Sequence, residues 1–134
     1  MGSKKKVGYA KHKRIEIVTV EDDSEQDWQL QYRDEQNMDA RQVLVKGGGT
    51  LLWYCGFPFS IHFLQLSPFP STRYSSRPGG NRGMYQIGPL PLKQTSAAGI
   101  YEYFVAAFVS RRVNGKNKRA VVTDDPDIIF MPRK

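Results

Sequence analysis

Short segments in which apolar and polar residues alternate recur through most of this chain. Residues 14–20 alternate in this way and are rich in β-branched side chains, which is typical of a half-buried strand. Alternation or a short apolar run predicts further strands at 28–32, 41–46, 50–55, 59–65, 99–109, 120–122 and 128–131. Asn114-Gly115 predicts a hairpin turn between two of them. The pattern predicts an all-β protein, and it contains no convincing amphipathic helix.

The alternation also predicts which side chains share a face. In the strand 50–55, Trp53 and Cys55 have the same parity and are expected on one side of the sheet. In the strand 59–65, Phe59, Ile61 and Phe63 face one way and His62 faces the other. The longest predicted strand, 99–109, is apolar on both faces in its second half. It is therefore expected at the centre of a sheet.

Residues 67–98 are different, because five prolines and four glycines leave almost no periodic run there. We expect one long irregular loop, and long loops in compact domains are usually functional or partly disordered. Aromatic and arginine side chains carried by a loop on a rigid scaffold are common binding anchors. The predicted binding residues are Tyr74, Arg77, Arg82 and Tyr85.

The segment 99–105, Gly-Ile-Tyr-Glu-Tyr-Phe-Val, resembles the strand that leads into the metal site of blue-copper proteins. Together with 58–63 and 125–129, it makes residues 40–131 similar to the cupredoxin family. The resemblance implies a Greek-key β-sandwich. It places Phe59, Val105 and Phe108 at the positions of copper-binding His, Cys and His, which a blue-copper site requires. A copper-free, cupredoxin-like scaffold is expected, with these three side chains meeting at one end.

Length and composition fit one globular domain: the chain has 134 residues, of which 40% are hydrophobic and 25% charged. We predict a basic N-terminal tail at 1–14 and a single domain at 15–134. The net charge is +7, and residues 40–120 contain eleven Lys or Arg but only Glu102 as an acid. We expect a non-enzymatic binding domain, in which an unknown protein partner contacts the 67–98 loop and the neighbouring basic surface. The alternative is a polyanion or nucleic-acid binder, in which basic side chains neutralise phosphates beside exposed aromatic rings.

Catalytic and metal-binding patterns are weak in this sequence. His62 has no second histidine nearby, and Cys55 lacks the orienting group that a nucleophile needs. The run Asp124-Asp125-Pro126-Asp127 lacks the alternate spacing of a calcium loop, and Gly79-Gly80-Asn81-Arg82-Gly83 lacks the Gly-Lys-Ser/Thr ending of a phosphate loop. We expect no enzyme activity, no cofactor and no metal, and keep as a third class an enzyme or metalloprotein that uses His62 and Cys55.

No apolar run approaches the roughly 20 residues that a transmembrane helix needs, and the N-terminus lacks the apolar core of a signal peptide. The single cysteine cannot form an internal disulfide. The expected location is the cytoplasm, with no contact with a membrane.

Overall fold

The structure, a computed structural model, describes residues 12–21, 28–79, 83–93 and 97–131. These residues form eleven strands and no helix, which confirms the predicted all-β class. The strands are β1 (His12–Glu21), β2 (Trp28–Arg33), β3 (Gln42–Lys46), β4 (Thr50–Cys55), β5 (Phe59–Phe63), β6 (Arg73–Ser75), β7 (Arg77–Pro78), β8 (Tyr85–Pro91), β9 (Gly99–Val113), β10 (Lys116–Asp124) and β11 (Asp127–Met131). Among the described residues, no helix has the length and apolar character needed to span a membrane.

The strands form two mixed sheets. A five-stranded sheet has the order β2-β1-β4-β8-β7, and its β1 and β4 are parallel. A six-stranded sheet has the order β3-β11-β9-β5-β6, with β10 paired to β9, and its β3 and β11 are parallel. All other strand pairs are antiparallel. The first sheet begins at His12, so the last three residues of the predicted tail belong to β1.

One hydrophobic core lies between the sheets, and both sheets supply side chains to it. Trp53 of the five-stranded sheet is fully buried against Tyr103 of the six-stranded sheet, with ring centroids 5.5 Å apart. The indole Nε1–H of Trp53 donates a hydrogen bond to the Tyr103 hydroxyl at 3.1 Å. Phe63 and Phe69 pack on the same pair of rings. The predicted alignment of Trp53 and Cys55 on one face is confirmed, because both are buried.

The prediction of one long irregular loop over residues 67–98 is wrong. This segment contains β6, β7 and β8, and β8 forms an antiparallel pair with β4. Its prolines misled the interpretation of the sequence. Pro89 and Pro91 lie on a part of β8 that has β4 on one side and no partner among the described residues on the other. A strand edge without a partner tolerates residues that lack an N–H donor.

The central position predicted for the strand 99–109 is confirmed, and the strand is longer than predicted. β9 runs from Gly99 to Val113 and pairs with β5 on one side. On the other side it pairs first with β11 and then with β10. The predicted hairpin turn joins β9 to β10, with positive φ angles of 52° at Asn114 and 79° at Gly115. Two positive φ angles in a two-residue turn match the right-handed twist of a hairpin.

Candidate binding site

The most distinctive surface is the outward side of β9 and its neighbours β5, β6 and β10. Residues directly opposite each other in paired strands share a face, so the register defines this surface without ambiguity. We name it the outer basic face. Its members are Ser60, His62, Arg73, Ser75, Phe104, Ala106, Phe108, Ser110, Arg112, Asn117, Arg119, Val121 and Thr123.

Two aromatic rings stand exposed at the centre of this face. Phe104 is 38% exposed and Phe108 is 47% exposed, although both belong to the strand that crosses the middle of the sheet. Val121 of β10, opposite Phe108, is 59% exposed. Buried residues alternate with them along β9, so the strand turns one set of side chains to the core and the other to solvent.

From the Phe104 row to the hairpin tip, the side chains of this face that are charged at neutral pH are arginines. Arg73 of β6 and His62 of β5 lie in a cross-strand row with Phe104. Beyond Phe108, the exposed arginines Arg119 and Arg112 continue the face toward the tip of the hairpin. None of the residues that make up the face is an aspartate or a glutamate.

Acidic residues mark where this face ends. Glu102 and Asp127 lie opposite each other in the next row of the sheet. Past that row the outward side chains include the exposed apolar residues Ile100 and Met131, with Lys46 opposite Met131. On the outer surface of the six-stranded sheet, two carboxylates therefore separate the outer basic face from a mainly apolar part that also contains Lys46.

A groove adjoins the outer basic face at Phe108. It has a volume of about 950 Å³ and is lined by side chains that include Phe57, Tyr85, Phe108, Arg119 and Val121. The groove lies beyond the first residue of β5, where β9 continues and is paired with β10 alone. A ligand on the face can therefore extend past the ring of Phe108 into an aromatic recess.

The residues predicted as a binding site are spread over both sheets. Tyr74 lies opposite Ile61 on the core side of β6, and its ring packs edge-on against Phe69 with centroids 6.4 Å apart. Its hydroxyl accepts a hydrogen bond from the backbone N–H of Ser71 at 2.8 Å. Tyr74 is thus held by packing and hydrogen bonding.

Two of the other predicted residues, Arg77 and Tyr85, lie on the five-stranded sheet. Arg77 is exposed on β7, and Tyr85 is half-buried on β8, where it faces Cys55 across the β4–β8 pair. Arg82 lies outside the described residues. Tyr85 reaches the groove beside the outer basic face, while Arg77 does not line it. A binding role for these residues stays a prediction.

The expected convergence of Phe59, Val105 and Phe108 is wrong. Phe59 and Val105 are both buried on the core side of neighbouring strands. Phe108 is three residues after Val105 in an uninterrupted strand, so it points to the opposite side and is exposed. The three side chains do not meet in one pocket, and substituting them would not assemble a set of copper ligands.

The structure separates the two residues considered for catalysis. Cys55 is fully buried on the core side of β4, and burial is the main factor that raises the pKa of its thiol. His62 points outward on β5, as its parity predicted. A thiol with a raised pKa is a poor nucleophile because only the thiolate reacts. No group of three or more potential metal-ligating side chains occurs within the described part of the chain.

The acidic run has a structural partner. The Arg41 guanidinium forms an ion pair with Asp124 and approaches the Asp125 carboxylate at 3.3 Å. Beside this pair lies the buried Tyr32 hydroxyl, which makes no hydrogen bond of standard geometry. Burial, and then the negative charge of Asp124, raise the pKa of Tyr32 far above its ordinary value. The cluster ties the start of β3 to the turn between β10 and β11.

Acid should weaken this cluster. Partial burial alone would raise the pKa of the Asp124 carboxyl, but hydrogen bonds from Arg41 and the backbone outweigh it and lower the pKa from 3.8. A lowered pKa stabilises the fold above the unfolded value near pH 4, and this stabilisation is lost as the pH falls further. We expect Asp124→Asn to lower the free energy of unfolding by about 1 kcal/mol at pH 7, since Arg41 is half-exposed.

Urea unfolding at several pH values measures this effect. The difference between the parent protein and Asp124→Asn should shrink below about pH 4, where the parent carboxylate becomes protonated. The matched control is Asp125→Asn, because the Asp125 side chain is 67% exposed and should contribute less. A difference that stays constant from pH 7 to pH 2.5 would contradict the assignment.

The sequence contained a signal for the outer basic face that its interpretation missed. Phe104 and Phe108 share a parity with Ala106 and Ser110, opposite to that of the buried Val105. By itself, the apolar run 104–109 predicts a strand that is buried on both sides. In the structure, no layer of described residues covers the outer side of this sheet. The side chains of β9 that face outward, such as Phe104 and Phe108, are therefore exposed.

Comparisons with known proteins do not identify a relative. Neither the models of known protein families nor the curated protein sequences match this chain.

Proposed function

We propose that this protein is a non-enzymatic binding domain that holds an anionic ligand on its outer basic face. The single observation that carries the proposal is the composition of this face. Two exposed aromatic rings and three arginines occupy it without any carboxylate. A surface of one charge sign attracts ligands of the opposite sign and raises their local concentration.

Two further observations support binding rather than catalysis. Cys55 is buried in the core on the inner side of the five-stranded sheet, whereas His62 lies on the outward side of the six-stranded sheet. The acidic side chains Asp124 and Asp125 are engaged by Arg41. The scaffold of two packed sheets holds the face rigid, which lowers the entropy lost on binding. The cupredoxin-like, Greek-key assignment is part of the proposal and rests on the sequence resemblance alone.

Binding to heparin as a function of salt tests the proposal. We expect the affinity to fall steeply with salt because bound counterions are released. The variant Arg112→Gln/Arg119→Gln should reduce the slope of log affinity against log salt by about one unit per arginine. Both side chains are exposed, so the fold should tolerate the change.

The control removes the same charge from the other sheet. Arg14→Gln/Arg33→Gln changes two arginines on the outward side of β1 and β2. If the outer basic face binds the polyanion, this variant keeps the parent slope. Equal slopes for the two double variants would mean that heparin responds to net charge alone, and the proposal would be wrong.

A further inference from the structure

We infer that the ligand of the outer basic face is single-stranded nucleic acid, whose bases stack on Phe104 and Phe108. This inference rests on the proposed function and names the ligand class. A polyanion without aromatic groups would need only the arginines and would gain nothing from two exposed rings. Proteins that bind single strands combine a positive surface along the phosphates with aromatic side chains on which bases stack.

The spacing of the rings fits separate bases of one strand. Phe104 and Phe108 are four residues apart on β9, so the strand rise places them roughly 13 Å apart. This distance is too large for both rings to enclose one base. Each ring therefore offers its own stacking surface, and a strand that runs along β9 can use both.

The arginines stand where phosphates of such a strand would pass. Arg73 flanks the Phe104 row on the β6 side, and Arg119 lies one row beyond Phe108 on β10. Arg112 continues the line toward the hairpin tip, where its Nη2 donates to the Gly115 carbonyl at 3.3 Å. The carboxylates of Glu102 and Asp127 bound the path at the other end and would repel phosphates there.

The exposed polar groups between the rings and arginines favour a ligand without a fixed sequence. The row between the two rings consists of Ser75, Ser60, Ala106 and Thr123, whose short side chains do not reach base edges as arginine or asparagine forks do. Stacking accepts any base because each has a π face. In a duplex the base faces are covered by their neighbours, so a double strand should bind less tightly.

Fluorescence anisotropy with labelled oligonucleotides tests the inference. The probes are oligothymidylate, an abasic strand with the same number of phosphates, and a duplex of the same length. We expect oligothymidylate to bind at least about tenfold more tightly than the abasic strand. In Phe104→Leu/Phe108→Leu, which keeps apolar bulk and removes the rings, this preference should disappear.

A matched substitution lies on the same sheet beyond the carboxylate row. Ile100→Thr changes an exposed apolar residue there and should leave the affinities for oligothymidylate and for the abasic strand unchanged. The leucine variant should still bind heparin with the parent salt slope, which shows that it is folded and that its arginines remain in place.

The outcomes separate this inference from the proposed function. Equal affinity for oligothymidylate and the abasic strand, with both weakened by Arg112→Gln/Arg119→Gln, would overturn the inference and support the polyanion function. Duplex binding as tight as single-strand binding would also overturn it. If neither the oligonucleotides nor heparin depend on the face, both proposals fail and a protein partner becomes the better explanation.

Discussion

Replacing Trp53 by alanine is expected to lower the free energy of unfolding by about 3–5 kcal/mol, the usual range for truncating a large buried aromatic residue. Trp53 has no exposed surface and packs edge-on against Phe69 and Tyr103, at centroid distances of 5.7 and 5.5 Å. Its loss opens a cavity between the two sheets. It also removes the donor that hydrogen-bonds to the Tyr103 hydroxyl. Because domains of this size have unfolding free energies of about 5–15 kcal/mol, much of the stability should be lost.

Denaturant unfolding followed by far-ultraviolet circular dichroism measures this change without relying on the tryptophan signal. The matched control is Leu52→Ala, the preceding residue of β4, which is only partly buried on the opposite face. It should cost about 1 kcal/mol. Tyr103→Phe tests the hydrogen bond alone, because it leaves the Trp53 indole N–H buried without an acceptor. It should lower the free energy of unfolding by about 1–3 kcal/mol. A loss below about 1 kcal/mol for Trp53→Ala would mean that the sheets do not pack as described.

The second large effect is expected for Gly88→Ala, which should lower the free energy of unfolding by about 2–4 kcal/mol. Gly88 has a φ of 105°, in the range that side chains with a Cβ rarely adopt. An added Cβ would also lie 2.7 Å from the Leu51 carbonyl oxygen and 3.0 Å from the Leu90 amide nitrogen. Both neighbours are backbone atoms, so relief requires β4 to move away from β8 and the backbone of β8 itself to change near Leu90. The pairing of these strands is irregular between Leu51 and Trp53, opposite this glycine.

Gly56→Ala provides the comparison. An alanine at Gly56, just after β4, meets nothing within 4 Å, and its φ lies outside the left-handed range. Its effect should stay within about 1 kcal/mol and could be stabilising, because alanine restricts the unfolded chain. Chemical denaturation of both variants under one set of conditions gives the comparison directly. Similar stability for the two would show that the close approach of β8 to β4 is absent.

The sequence predicts the strands of this protein well where alternation is strong. The strand 50–55 was predicted with its observed bounds, and the Asn114-Gly115 turn was predicted from its residue types. These features are local, so a single chain reveals them. β8 could not be predicted in this way, because its prolines are tolerated only through its position beside β4. Sheet order and parallel pairing depend on contacts between distant segments, which local patterns do not contain.

The candidate site was less predictable than the fold. The glycines and prolines of residues 67–98 predict an exposed loop, and with it a binding role for Tyr74 and Tyr85. In the structure, both rings pack against the core. Among the described residues, the large exposed aromatic side chains are Phe104 and Phe108, which lie within a hydrophobic run of the sequence. An apolar run predicts that its side chains are buried on average, but it does not predict which face of the strand is covered by another layer. That depends on the neighbouring layer, and here the outer side of the six-stranded sheet has none among the described residues.

The alternation of core and surface residues along β9 determines which sequence changes this strand can tolerate. Core residues such as Tyr103 and Val105 alternate in sequence with surface residues such as Phe104 and Ala106. Substitutions confined to the surface set can alter what the sheet recognises while the interior stays intact. A one-residue insertion or deletion within the strand would instead exchange the two sets beyond that point. We therefore expect variation in β9 to be tolerated at every second residue, and a change in its length to abolish stability and recognition together.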